Sequence, residues 1–177
     1  MKVVEMIVLD VAQNKSRVDL LVVKLLRDTG VAATISTDSM EFRVAVQKFV
    51  YLLQVVGGLD LGFKFEWLSM GPYSRGLQNH YQRISRTLVS NADSVAEFND
   101  VEQSALDAVK RLLSSLEKSV ARLDVKVLEI AASLIMLCRD VYPKPLDPVE
   151  ELMMRKNLPR EDVVRIWSAI DKLSICR

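Results

Sequence analysis

Along most of the chain, apolar residues recur every three or four positions, which is the spacing of one buried face of an α-helix. From Val125 to Cys138 they occupy every side, as expected of a central helix surrounded by others. Amphipathic helices are predicted before Gly30, from Phe42 to Leu53, from Leu77 to Leu88, from Val101 to Val120 and from Val163 to Leu173. Residues 3–11 are β-branched and compatible with strand or helix, and we predict helix. The fold class is therefore mostly α, a compact multi-helix domain.

One stretch follows a different period. From Leu59 to Trp67 the odd-numbered residues are large and apolar, and they alternate with polar or small residues. Period two predicts a half-buried strand, and hence one small β-ribbon near residues 59–69. Its aromatic side chains share one face, which could stack on single-stranded nucleic acid, but packing onto helices is the favoured interpretation. Gly and Pro within residues 70–73 predict a turn.

Sequence signals also mark helix boundaries, because a capping side chain accepts a hydrogen bond from the first turn. The candidate N-caps are Asp38, Ser74, Asn99 and Asp124, and the candidate helix ends are Gly30 and Gly57-Gly58. The inner apolar stripes predict a core that includes Phe49, Leu53, Leu77, Ile84, Leu134 and Trp167.

Length and composition narrow the class of protein. The 177 residues fit a single domain, 1–177, that can bury a core without disulfides or metal ions. No apolar run reaches the length of a membrane span, and we predict no signal peptide. Cys138 and Cys176 are far apart, so we expect neither a disulfide nor a zinc site, and we expect a reducing, cytoplasmic location. The net charge of +1 provides no strong overall field for nucleic acid or a membrane.

No constellation of residues predicts catalysis. His80 is the one histidine, and we expect it at the surface. Asp60, Glu66 and Glu129 are carboxylates near apolar residues, but an acid and a base must lie close together in space, and no spacing in the sequence pairs them. No glycine-rich phosphate-binding loop occurs. We therefore predict a chain that is not an enzyme and that uses no cofactor and no metal.

Several short segments resemble the signature of a known family. They are Lys48 to Gln54, Gly62 to Trp67, Gly71 to Ser74, Leu128 to Leu134 and Arg155 to Pro159. These segments are similar to the YwgA-like proteins, which are related to the SocA-like, or Panacea, antitoxin-associated domains. The resemblance covers about residues 41–175 and leaves residues 1–40 as an N-terminal helical extension. It implies a compact helical domain with a small β element, a prokaryotic origin, and protein binding in place of catalysis. It also implies that Glu66 and Glu129 are buried structural ions paired with Lys48 or Arg75.

The predicted turn at Gly71-Pro72 belongs at the surface, because a buried turn would leave polar backbone groups unpaired. Residue types that are enriched at interfaces surround it. We predict a partner-binding site made of Trp67, Met70, Tyr73, Arg75 and Arg83. For Trp67 alone, packing between strand and helix is the favoured alternative. The predicted function is a non-enzymatic protein-interaction module, antitoxin-like or regulatory.

Two further partners follow from the pattern. Arg75, Arg83 and Arg86 lie on the outer side of their helix, and the ribbon could act as a wing. The alternative function is therefore a DNA-binding transcriptional regulator of winged-helix type, although the near-neutral charge favours a protein partner. The region from Val101 to Leu123 has more apolar positions than one inner face needs, which predicts a two-fold homodimer.

Overall fold

The structure is a computed structural model that describes residues 17–90 and 96–177. In chain order the elements are α1 (helical over 17–28), a 3-10 turn Val31–Ala33, α2 Met40–Val55, β1 Glu66–Leu68, β2 Gly71–Tyr73, a 3-10 turn Arg75–Asn79, α3 Tyr81–Ser90, α4 Asp100–Glu117, α5 Val125–Arg139, α6 Pro148–Arg155 and α7 Arg160–Asp171. The predicted mostly α fold with one small ribbon is confirmed. The helix predicted at residues 3–11 lies outside the described residues.

Helix α5 lies at the centre of the described fold and packs against α2, β2, α6 and α7. Its side chains from Val127 to Leu137 are buried on every side, as the unbroken apolar run predicts. Helix α2 packs along α5, and Leu21 of α1 joins the same core. The core prediction is confirmed for Phe49, Leu53, Leu77, Ile84 and Leu134, which are buried, and Trp167 is half-buried against them.

Two of the four predicted N-caps, Asn99 and Asp124, are confirmed. Asn99 and Glu102 form the predicted capping box at the start of α4. At α2 the prediction of Asp38 is wrong by one residue, because the hydroxyl of Ser39 accepts the Phe42 N–H at 3.1 Å. Serine provides the same short oxygen acceptor as aspartate, so sequence alone separates the two positions poorly.

The ribbon is shorter and lies later in the chain than the alternation predicts. Side chains at the odd positions from Leu59 to Trp67 are half-buried against the core, which confirms the two-sided pattern. The strand hydrogen bonds, however, join only Glu66–Leu68 to Gly71–Tyr73 in an antiparallel pair. The turn predicted at residues 70–73 is therefore wrong. The chain reverses at Ser69-Met70, and the Gly-Pro pair begins the returning strand.

The C-terminal tail is linked to α5 by a disulfide, which contradicts the prediction. Cys138 and Cys176 are bonded with their Cα atoms 5.7 Å apart. Helix α7 packs against α5, and this brings together two positions that are 38 residues apart in sequence. Arg139 holds the same tail, since its guanidinium donates to the Val55 carbonyl at 2.9 Å and to the Ile175 carbonyl at 3.4 Å.

Candidate functional site

Two glutamines on one face of α2 fix the position of the extended segment and the hairpin. The Gln54 amide donates to the Phe63 carbonyl and accepts the Phe63 N–H, both at 3.0 Å. The Gln47 amide does the same for Ser74, donating at 2.9 Å and accepting at 2.8 Å. Each amide thus makes the two backbone hydrogen bonds that a neighbouring strand would otherwise make. Ser74 is not the predicted N-cap, because its side chain caps nothing and a 3-10 turn separates it from α3 at Tyr81.

Lys48 lies beneath the hairpin. Its Nζ donates to the Pro72 carbonyl at 2.8 Å, and the residue is 1% exposed. Burial lowers the pKa of Lys48 to about 7, while the Glu129 carboxylate raises this pKa and the Lys156 cation lowers it. A buried cation with a shifted pKa occurs both at functional sites and in structural ion networks.

Glu129 of α5 is the carboxylate of this network. It forms an ion pair with Lys156 and lies 3.7 Å from Lys126 Nζ. The predicted burial of Glu129 is confirmed, but its predicted pairing with Lys48 or Arg75 is wrong, because its direct partner is Lys156 and the direct partner of Lys48 is a backbone carbonyl. The same prediction is wrong for Glu66, which is exposed on β1.

Gly71 seats the hairpin against α5. Its φ of 80° lies in the left-handed region, and a Cβ at this position would be 2.2 Å from Ser133 Oγ. Both facts require glycine. Ser133 is fully buried, and its hydroxyl has no hydrogen-bond partner in the described part of the chain. The hairpin is thereby held between α2 and α5.

A groove with a volume of about 280 Å³ opens between the first half of α2 and the hairpin, and we call it the hairpin groove. Its lining comprises Met40, Arg43, Val44, Gln47, Lys48, Leu68, Ser69, Met70, Gly71, Tyr73, Gln78 and Tyr81. Met40, Leu68 and Met70 expose 56%, 43% and 42% of their surface. Large apolar side chains exposed around one recess are typical of interaction sites.

Polar side chains form another part of the lining. The Gln47 amide donates to the Tyr81 hydroxyl and the Gln78 amide donates to the Tyr73 hydroxyl, each at 2.6 Å. Burial raises the pKa of Tyr81, whereas the hydrogen bond from Gln47 and the Arg43 cation lower it. Among the described lining residues, two are cationic and none is acidic.

Of the predicted partner-binding residues, Met70 and Tyr73 line the hairpin groove. Trp67 does not line it. The indole is half-buried, with the Arg155 guanidinium 5.2 Å and the Lys156 ammonium 6.0 Å from the ring centroid. Trp67 thus has the packing role that the sequence favours for it, with a cation–π contact in addition.

The two predicted arginines lie elsewhere. Arg75 is exposed beside a shallower depression that includes residues 62–66. Arg83 Nε donates to Asp19 at 2.7 Å, and His80 Nδ1 lies 2.6 Å from the other oxygen of the same carboxylate. His80 is 3% exposed, so its predicted surface position is wrong. Asp19 provides a buried partner from α1, and the cluster joins α1 to the start of α3.

The sequence prediction missed most of the groove, including Met40, Arg43, Gln47 and Tyr81. One signal could have found it. Gln47 and Lys48 interrupt an otherwise buried α2, and polar groups in a core need hydrogen-bond partners. Polar residues at core positions therefore indicate where a backbone segment lies against the helix.

A second depression is more basic than the hairpin groove. It has a volume of about 740 Å³ and lies between α4 and the turn after α7. Its lining comprises Asp107, Lys110, Arg111, Ser114, Ser115, Lys118, Ser119, Lys172 and Leu173. One of its four cations, Lys110, is already paired with Asp28. The depression is open and built from surface side chains.

Neither a metal site nor a membrane span is found in residues 17–90 and 96–177. Their His, Cys, Asp and Glu side chains form no group of three or more that could hold a metal ion. No helix in this part of the chain is long and apolar enough to cross a membrane. Comparison of the chain with protein-family models, with curated proteins and with solved structures finds no match in any of them.

Proposed function

We propose that the chain is a non-enzymatic protein-interaction module whose hairpin groove holds a short segment of a partner protein. The supporting observation is that Met40, Leu68 and Met70 are exposed around one recess. A partner segment that covers these side chains removes apolar surface from water, which favours binding. Methionine and tyrosine are also among the residue types enriched at interfaces.

The construction of the groove supports the same proposal. Gln47 and Lys48 bind the hairpin backbone from α2, and Gly71 packs against Ser133 of α5. A surface held in this way loses little conformational freedom when a ligand binds, so more of the contact energy appears as affinity.

The biological role rests on the family resemblance. We propose an antitoxin-like or regulatory role in a prokaryotic cell, where the chain binds a protein and performs no chemistry. A cytoplasmic location is part of this proposal. The disulfide between Cys138 and Cys176 fits that location in organisms whose cytoplasm accommodates disulfides, such as hyperthermophiles, since other cytosols keep thiols reduced.

A homodimer is a second proposed partnership. Most of the apolar side chains between Val101 and Leu123 belong to the core, since Leu106, Leu112 and Leu116 are fully buried. Val101 itself is 66% exposed and is the part of α4 that supports a subunit contact.

A random peptide library displayed on phage tests the groove. Enriched peptides are synthesised, and their affinity is measured for the unmodified chain, for Met70→Asp and for the control Met154→Asp. Met154 is a 76% exposed methionine outside the groove lining. We expect Met70→Asp to weaken binding about tenfold or more, about 1.4 kcal/mol, and Met154→Asp to leave it unchanged. Equal binding by both variants, or a library without enriched peptides, would contradict the proposal.

The DNA-binding alternative has one specific observation in its favour, the four cations of the depression between α4 and α7. Retention on duplex DNA at rising salt tests it, because phosphate contacts make affinity fall steeply with salt. Our proposal predicts no retention at physiological salt. Salt-dependent retention that is abolished by Arg111→Glu with Lys118→Glu would instead support DNA binding through this depression, which is a different surface from the Arg75, Arg83 and Arg86 face of the predicted winged-helix type.

A further inference from the structure

We infer that the segment bound in the hairpin groove carries a carboxylate beside an apolar side chain. This inference rests on the proposed function and specifies the chemistry of its partner. It combines the charge of the lining, the free donors of Arg43 and the excess positive charge beneath the groove.

The lining has one sign of charge. Arg43 and Lys48 are its charged members, and none of the described lining residues is acidic. The whole chain has 24 basic and 23 acidic residues, so a lining without acids does not follow from overall composition. A partner with a negative group is therefore complementary to the groove.

Arg43 provides the accessible donors. It is exposed on the first turns of α2, and its guanidinium has no hydrogen-bond or ion-pair partner among the described residues. Arg43 acts only weakly on Asp38, whose pKa is lowered mainly by the hydrogen bond from Ser36 and to a smaller extent by Arg43. An arginine in this state can bind a carboxylate through two parallel hydrogen bonds.

Lys48 contributes a second cation from below. Its Nζ donates to the Pro72 carbonyl, and Glu129, the carboxylate that raises its pKa, is already paired with Lys156 and approached by Lys126. Three lysines thus interact electrostatically with one carboxylate. Burial lowers the Lys48 pKa to about 7, so a second negative group nearby would favour its charged form. A carboxylate in the groove would offset this excess.

The apolar side chain has a separate place. Met40, Val44, Leu68 and Met70 provide apolar surface in the same lining, and the recess of about 280 Å³ has room for a few side chains only. A short peptide segment fits this size, whereas a folded surface does not enter it. The Tyr73 and Tyr81 hydroxyls can donate to the backbone of the segment, since each already accepts from a glutamine.

The test uses the peptides enriched from two random libraries, one displayed with a blocked C-terminus and one with a free C-terminus. Each enriched peptide is remade with its Asp or Glu changed to the amide, or with its terminal carboxylate amidated. Affinities are measured for the unmodified chain, for Arg43→Gln and for the control Arg75→Gln, which removes an exposed arginine outside the groove. The two libraries distinguish a side-chain carboxylate from a terminal one.

We expect peptides with a carboxylate next to an apolar residue, a loss of about tenfold when the carboxylate is neutralised, and no such difference on Arg43→Gln. Arg75→Gln should behave as the unmodified chain. Enriched peptides without a carboxylate preference that still depend on Met70 would overturn this inference and leave the proposed function standing. A library without enriched peptides would overturn both.

Discussion

At the scale of single residues, the hairpin region is defined by polar side chains that lie at core positions. Gln47, Lys48 and Ser133 are each buried, and each faces a part of the hairpin or the segment that follows it. Burying a polar group is unfavourable unless it finds a hydrogen-bond partner. Polar residues at core positions therefore indicate where a backbone segment packs against a helix.

The lowered pKa of Lys48 predicts a rise of stability with pH. The folded pKa is about 7 and the ordinary value is 10.5, so between these values the unfolded chain binds more protons than the folded chain. The free energy of unfolding should therefore increase by up to about 1.4 kcal/mol per pH unit. Urea unfolding at about pH 7 and about pH 9.5 measures this slope. Higher pH is avoided because burial raises the pKa of Tyr51 in the folded chain. The unfolded chain then loses the Tyr51 proton first, and the free energy of unfolding decreases with pH.

Lys48→Met is the matched variant for this measurement. It keeps an unbranched side chain that is one atom shorter and removes the titrating group, so the rise with pH should disappear and stability at about pH 7 should increase. Parallel pH profiles for the variant and the unmodified chain would show that another group causes the rise.

Gly71→Ala should destabilise the fold by about 2 to 5 kcal/mol, since it combines a left-handed backbone with a clash against Ser133. Ser133→Ala alone should be nearly neutral, because it removes a buried hydroxyl without a recorded partner. The double variant should recover the part of the loss that comes from the clash. Denaturation midpoints of all four chains give this cycle, and strict additivity would contradict the proposed contact.

At the scale of elements, the helices could be predicted and the hairpin could be predicted only in part. Helices are local, so the spacing of Phe49 and Leu53 and the capping box of Asn99 are visible in sequence. The alternation from Leu59 to Trp67 is also local and is confirmed as a burial pattern. Strand pairing is different. Within residues 17–90 and 96–177 no strand pairs with residues 59–65, and Gln54 of α2 instead makes both hydrogen bonds to the Phe63 backbone.

Gln47→Leu tests this use of a helix in place of a strand. It leaves the Ser74 N–H and carbonyl without the partners that Gln47 provides, and each buried unpaired group costs about 1 to 3 kcal/mol. Gln103→Leu is the control, because that glutamine is exposed on α4 and should change stability by about 0.5 kcal/mol or less. Stability is read by urea denaturation, and hydrogen exchange of the Ser74 amide should accelerate. Equal stability of both variants would show that the hydrogen bonds from Gln47 to the Ser74 backbone do not stabilise the fold.

At the scale of the whole molecule, the features that sequence could not predict are contacts between distant positions. Asp19 meets His80 from another helix, Gly71 meets Ser133, and Cys138 meets Cys176. Each depends on how helices pack, and no periodicity in one segment reports it. Of the predicted binding residues, the two that line the groove, Met70 and Tyr73, belong to the hairpin, whereas Arg83 is drawn to Asp19.

The disulfide gives a prediction at this scale. Closing a loop of 38 residues restricts the unfolded chain and should stabilise the fold by about 4 kcal/mol in the chain-entropy description. The pair Cys138→Ser with Cys176→Ser should lose most of this amount, and a reducing agent should do the same to the unmodified chain. Urea denaturation with and without reductant measures both, and an unchanged midpoint on reduction would contradict the role.

The contact of Trp67 with Arg155 and Lys156 makes the fluorescence of this indole sensitive to the position of the hairpin. Trp67 and Trp167 are the two tryptophans of the chain, so Trp167→Phe leaves an emission spectrum that comes from the hairpin alone. Indole emission shifts with nearby charge and water. A peptide that enters the groove and moves the hairpin by a small distance should therefore change the colour and intensity of Trp67 fluorescence, without any added label. Because Trp67 lies outside the lining of the hairpin groove, the chain carries its own optical reporter beside the proposed site.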